Sequence, residues 1–181
     1  MAEGIAGASS AGGHAPQHGY GTAVKEAHFV AAPLLTAAAL SLAGVVGGAD
    51  TAFRWPGATL ILLVITAMTL IFSMQLAYRA RSYLFTYKEL KEHYEGLPGP
   101  DVPTEQVRQE YGDAQEKWVN GNYVAVLTYN AGTLLLGLGV TVSLFPPDGG
   151  EQFVARWVAA GLVFVGTVAD AAWIVKQYWY R

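Results

Sequence analysis

Three long segments without a single formal charge, and a fourth with only two, constrain this chain more than anything else in it. No Asp, Glu, Lys or Arg occurs between Glu26 and Asp50, between Arg54 and Arg79, or between Lys117 and Asp148. The stretch from Phe153 to Val175 carries only Arg156 near its start and Asp170 near its end. A helix needs roughly 20 apolar residues to cross the hydrocarbon core of a bilayer, and each segment is long enough. The expected fold is all-α: a polytopic membrane four-helix bundle of two antiparallel hairpins. At roughly 20–24 residues per span, about 90 of the 181 residues remain, too few for a second large domain. Charged residues make up 14% of the chain against a usual ~25%, as expected when half of it faces lipid or a bundle core.

Charge also sets the expected orientation. With four spans, both termini and the central loop share one side. That side holds Lys25, Arg79, Arg81, Lys88, Lys91, Arg108, Lys117, Lys176 and Arg181. The other side holds Arg54 and Arg156 alone. Because the bias in Lys and Arg decides topology, the loop and both termini are expected in the cytoplasm of a cell (inner) membrane. Acidic residues in the loop carry little weight in that rule. Trp55 at one boundary, and Trp173, Tyr178, Trp179 and Tyr180 at the other, stand where interfacial aromatics belong.

The expected segments are a disordered N-terminal stretch (1–26), a first transmembrane hairpin (27–78), a cytoplasmic helical loop (79–121), a second hairpin (122–176) and a short tail (177–181). The N-terminal stretch is Gly-, Ala- and Ser-rich and cannot bury enough surface to offset its ordering entropy. Its first basic residue is Lys25 and the apolar run behind it is long, which sets it apart from a secretory signal peptide. Both outer connections are short, the second marked by Pro146-Pro-Asp-Gly-Gly150. Short connections make antiparallel neighbours.

In the cytoplasmic loop, Gly96-Leu-Pro-Gly-Pro-Asp-Val-Pro103 stops any helix. Before it, Leu84, Tyr87, Leu90 and Tyr94 keep helical spacing; after it, Thr104 is an expected N-cap and Val107, Tyr111, Ala114 and Trp118 repeat at four, three and four. Span two is therefore expected to continue inward, reverse at the Pro-rich elbow and return into span three as a helical hairpin. Tyr87, Tyr94, Tyr111 and Trp118 would pack within that hairpin or form a surface for a cytoplasmic protein partner. Gly121 stands where a hinge would.

The intramembrane polar set is Asp170, Asn130, Gln75 and Ser73. Asp170 precedes Lys176 by six residues, about 9 Å along a helix. Gln75, Ser73 and Asn130 fall in the same inner half. A buried acid is costly unless paired, so these groups are expected to converge on the bundle axis. Three roles fit: hydrogen bonds that hold the helices together, the lining of a watered path, or snorkelling of Asp170 toward Arg79 or Arg81. Arg156 is expected to snorkel outward. In span one, Gly44-Val-Val-Gly-Gly48 matches G-x-x-x-G, which lets helices approach closely, within the bundle or between subunits. Pro33 lies in the first turn, where it is tolerated.

There is no cysteine, which excludes disulfides, thiolate chemistry and Cys-type metal sites. His14 and His18 lie in a Gly-rich leader without fixed geometry, and His28 and His93 are isolated, so neither a metal site nor another cofactor is expected. No phosphate-binding Gly loop or nucleophile elbow occurs. Neither an enzyme nor a nucleic-acid-binding protein is expected, the net charge being −3. The run Gln75-Leu-Ala-Tyr-Arg-Ala-Arg-Ser-Tyr-Leu-Phe-Thr-Tyr-Lys-Glu-Leu90, with Glu116-Lys-Trp-Val-Asn120, resembles uncharacterised four-span membrane proteins of high-GC actinobacteria. That resemblance implies no activity. A membrane hairpin followed by a cytoplasmic helix more loosely resembles the SLATT-type effectors of bacterial conflict systems, which have two spans and are thought to form pores. The functional expectation is a homo-oligomeric channel in contact with membrane lipid, controlled through its cytoplasmic helices. The alternative is a non-conducting anchor or scaffold that recruits a cytoplasmic partner.

Overall fold

The computed structural model describes residues 27–83, 87–95, 104–147 and 152–179. All regular structure among them is helical. A π-helical turn, Ala27–Ala31, leads into α1, Ala32–Gly48. A short 3-10 turn, Asp50–Ala52, precedes α2, Pro56–Arg81. Then come α3, Tyr87–Glu95, α4, Thr104–Leu144, and α5, Phe153–Trp179. Four of these segments are long and apolar enough to cross a bilayer: His28–Gly48, Pro56–Arg81, Glu105–Leu144 and Phe153–Trp179. The N-terminal segment, the Pro-rich elbow and most of the second outer turn lie outside the described residues.

The helix ends follow local chemistry. Proline stands in the first turn of both α1 and α2, where a missing N–H costs nothing. Arg79 and Arg81 occupy the last turn of α2, favourable against the negative end of the helix dipole. Here the structure departs from expectation, because α2 does not run on inward. The amides of Ser82 and Tyr83 reach back three residues, to the carbonyls of Arg79 and Ala80 (both 3.2 Å), and the Ser82 hydroxyl donates to Arg79 O at 2.7 Å. Those bonds tighten and close the last turn. A separate nine-residue helix, α3, follows and packs against α4. The third apolar segment does carry the expected extension: α4 is one uninterrupted helix of 41 residues. At the start of α5, Gln152 adopts φ 62°, and its carbonyl accepts the Arg156 amide at 3.0 Å.

Packing centres on α2. Of its buried residues, Thr59, Leu63, Thr66, Leu70, Ser73, Ala77 and Ala80 recur at four and three, a period of 3.5, with Ala67 buried beside Thr66. That period keeps one seam facing a neighbour along the whole helix. The most extensive packing in the molecule joins this seam to α4. Glycines make it possible. A Cβ on Gly139 would lie 2.9 Å from Leu63 Cδ2, one on Gly132 would lie 2.6 Å from Leu70 Cδ2, and one on Gly121 would lie 3.1 Å from Ala80 Cβ. Leu63 and Leu70 are fully buried. Leu63 and Leu70 thus seat over Gly139 and Gly132 of α4, antiparallel and seven residues apart on each helix, and Ala80 meets Gly121 further along. Buried Ala77 and Ala125 fall on the same register between them.

On its other side α2 receives α1, whose buried Ala32, Thr36, Ala39, Ala43 and Val46 repeat the same four-three spacing. Ala43, Val46 and Leu63 form a small core with Leu42, Phe53, Leu60 and Leu136 around it. The last helix, α5, packs chiefly on α4 and buries only Ala160. The long helices therefore pack together as an ordered set, α1–α2–α4–α5, with α5 the least covered.

Candidate functional site

Polar side chains in three elements meet in the half of the assembly nearest Arg79, Arg81 and Lys176. His28, in the π turn ahead of α1, is almost wholly enclosed, 1% exposed. Its ring lies 5.4 Å from that of Tyr129 on α4, tilted by 50°. The Asp170 carboxylate on α5 lies within electrostatic reach of the Tyr129 hydroxyl. One residue further along α4, Asn130 Nδ2 donates to the Tyr178 hydroxyl at a long 3.5 Å, and Tyr178 stands edge-on to Tyr123 at 5.7 Å. The neighbouring Phe29 ring sits 4.1 Å from the Arg81 guanidinium, which fixes the entry to α1 against the end of α2. One imidazole, one carboxyl, one amide and three phenols thus line the junction of α1, α4 and α5.

The four polar residues singled out in the sequence divide between two fates. Asp170 and Asn130 belong to this cluster. Ser73 is buried on the α2 seam, but its hydroxyl donates to Leu70 O at 2.7 Å and so serves its own helix. Gln75 is exposed, two residues or about 200° around α2 from Ser73. The expected convergence of all four on one axis is therefore not what a single chain shows. Asp170 itself is exposed on α5.

The other hydroxyls within the spans repeat the behaviour of Ser73. Thr36, Thr59, Thr66, Thr141 and Ser143 each donate at 2.7–2.9 Å to a carbonyl three or four residues back on the same helix. A hydroxyl spent in this way has given up its donor hydrogen and keeps only acceptor lone pairs.

The proposed cytoplasmic surface is described in part. Tyr111 and Trp118 are half-buried on α4, and Gln115 Nε2 donates to the Tyr111 hydroxyl at 3.1 Å. Tyr87 and Tyr94 lie on α3, but their side chains fall outside the described ones. In span one, a Cβ on Gly44 or Gly48 would meet nothing within 4 Å, so the G-x-x-x-G face is open within the chain. Gly121 is no break in α4 but the point where it crosses Ala80.

At the opposite end, Arg156 does not snorkel outward. Its Nη1 donates to Ala52 O at 3.1 Å and its Nη2 to Ser143 O at 3.2 Å. It thereby clips the start of α5 to the end of α4 and to the α1–α2 turn, satisfying a helix-terminal carbonyl on the way. Around it, Phe145 stands edge-on to both Trp55 (5.5 Å) and Trp157 (4.9 Å).

No family model, curated protein or solved structure matches the chain.

Sequence reading left out Tyr123 and Tyr129 and took His28 for an isolated residue, whereas it is buried against Tyr129. The available signal was their setting: a histidine at the head of an apolar run, and tyrosines well inside one. Asn122, buried beside Gly121, was missed for the same reason. Among the described residues, no three His, Asp or Glu side chains gather as metal ligands would.

Proposed function

We propose that this chain is a multi-pass integral membrane protein, both termini cytoplasmic, that works as one subunit of a homo-oligomeric channel. The observation that carries the reading is the position of Asp170. It is exposed on α5, the helix with the least cover, in a chain of four bilayer-length apolar helices. A carboxyl facing hydrocarbon costs up to roughly 3 kcal/mol on insertion scales. A neighbouring subunit or a column of water against α5 removes that cost. A polar route would then run between subunits, along α5, where Asp170 is exposed. The extended α4, with α3 packed on it, supplies the cytoplasmic control element.

The satisfied seam favours one second reading: a non-conducting scaffold whose partner binds at Tyr111 and Trp118. The test is ion flux from proteoliposomes holding the purified protein, beside Asp170→Asn, with subunit number measured by crosslinking. Flux that Asp170→Asn alters supports the channel. Tight liposomes with fully inserted, oligomeric protein overturn it and leave the scaffold, checked in turn by partner recovery with Tyr111→Ala and Trp118→Ala.

A further inference from the structure

Between α4 and α5, at the end away from the polar cluster, lies a groove of about 330 Å³. Its walls include Leu138, Phe145, Trp157, Gly161 and Phe164. The single polar side chain among the lining residues, Thr141, donates its hydroxyl to Gly137 O at 2.8 Å and presents only its methyl group. From Phe145 to Leu138 on one wall, and from Trp157 to Phe164 on the other, the groove runs about 10 Å along the helices. A Cβ on Gly161 would meet nothing within 4 Å, so this wall is open rather than filled by a neighbour.

The mouth is chemically marked. Phe145 and Trp157, 4.9 Å apart, close one end, and Trp55 stands 5.5 Å from Phe145. The Arg54 guanidinium lies 5.1 Å from the Trp55 ring and is exposed. Arg54 and Arg156 are the only Lys or Arg residues at this end of the chain. An apolar slot, an aromatic rim at interface height and a guanidinium above it match, in order, an acyl chain, a glycerol backbone and a phosphate.

We propose that this groove is a binding site for one anionic phospholipid, its chain lying between α4 and α5 and its headgroup phosphate held by Arg54. The site rests on the chain being embedded in a bilayer, not on conduction. Lipid is a better occupant than a second copy of this chain, because a single acyl chain fits a slot bounded by two helices.

The experiment is native mass spectrometry of the full chain, delipidated in detergent and titrated with phosphatidylglycerol or phosphatidylcholine, with the oligomeric state read in the same spectra. Three variants accompany it. Gly161→Leu fills the slot, Leu138→Trp fills it from the other wall, and Arg54→Gln removes the charge. Helix content and membrane insertion are checked for each, which separates loss of the site from loss of the membrane fold. The wild type should retain one phosphatidylglycerol more tightly than phosphatidylcholine. Both slot-filling variants should lose that lipid, and Arg54→Gln should lower phosphatidylglycerol affinity about five-fold and phosphatidylcholine affinity less, because the choline cation of that headgroup offsets its phosphate. Equal retention of both lipids, or retention unaffected by Gly161→Leu and Leu138→Trp, would overturn the proposal. So would a fall in oligomer content on Gly161→Leu without any change in bound lipid, since the slot would then belong to another copy.

Discussion

Gly132→Ala should destabilise the protein although alanine is the better helix former. The new methyl would sit 2.6 Å from Leu70 Cδ2 and 2.8 Å from Leu70 Cγ, with the Leu70 amide nitrogen at 3.6 Å. Carbon atoms prefer separations of about 3.5–4.0 Å, so the overlap is about 1 Å. Leu70 is fully buried. Overpacking of this kind costs about 1–3 kcal/mol, and the tight geometry argues for the upper end. Replacing glycine returns up to about 1 kcal/mol of helix propensity, leaving a net loss of about 2 kcal/mol. Gly161→Ala is the control: no atom lies within 4 Å, so only the propensity gain remains. The two single variants should differ by about 3 kcal/mol in reversible unfolding measured in mixed micelles. Leu70→Ala alone leaves a cavity and should cost about 2–5 kcal/mol. Combined with Gly132→Ala it should cost clearly less than the sum, because the clash and the cavity cancel, with a coupling of about 1–3 kcal/mol. Equal stability of Gly132→Ala and Gly161→Ala, or strict additivity with Leu70→Ala, would refute the Leu-over-Gly seam.

Three further perturbations follow from other contacts. Arg156→Ala removes two charge-assisted bonds, and partial exposure discounts them, so the loss should be about 1–2 kcal/mol in the same unfolding assay; Arg156→Lys cannot span both carbonyls and should recover less than half. Gln152→Gly should stabilise by about 1 kcal/mol, since φ 62° strains a residue with a Cβ; a loss of stability would show the turn is held by the Gln152 side chain. Gly44→Leu with Gly48→Leu should not lower monomer stability, because a Cβ at either position meets nothing within 4 Å, and should lower crosslinked oligomer yield if α1 forms a subunit contact; unaltered oligomer yield would assign that contact to another face.

The positions of the long helices were legible because charge is absent from them. Arg54, Arg79, Lys117 and Asp148 bracket apolar runs, and the helices Pro56–Arg81 and Thr104–Leu144 fall across the segments those residues delimit. The end of α2 was not legible. Leu84, Tyr87 and Leu90 keep helical spacing past Arg81, and only the three-residue hydrogen bonds at Ser82 and Tyr83 reveal the stop. Face assignment failed for a related reason. In nearly uniform apolar helices hydrophobicity does not separate core from lipid, so the informative variable is side-chain size. Read that way, Gly132 and Gly139 at seven residues, opposite Leu63 and Leu70 at seven, announce the principal seam. Gly44 and Gly48 at four residues drew the eye and pack on nothing within the chain. For the polar cluster, Asp170 and Asn130 were visible as exceptions in apolar runs, whereas His28 was hidden by sitting at the edge of one. Gln75 could not be placed, because two residues of helix separate an inward from an outward side chain.

The unbroken length of α4 has a mechanical consequence. Its 41 residues span about 60 Å, roughly twice the thickness of a hydrocarbon core, so about 30 Å of rigid rod stands clear of the seam with α2. The crossing of Gly121 with Ala80 lies near the middle of that rod, and beyond it Gly132 and Gly139 are locked against Leu70 and Leu63. A tilt of roughly 10° therefore displaces the Thr104 end sideways by about 5 Å only if α2 tilts with α4. Load on the arm is borne by α2 and α4 as one rigid pair, with the Arg156 clip at its far end.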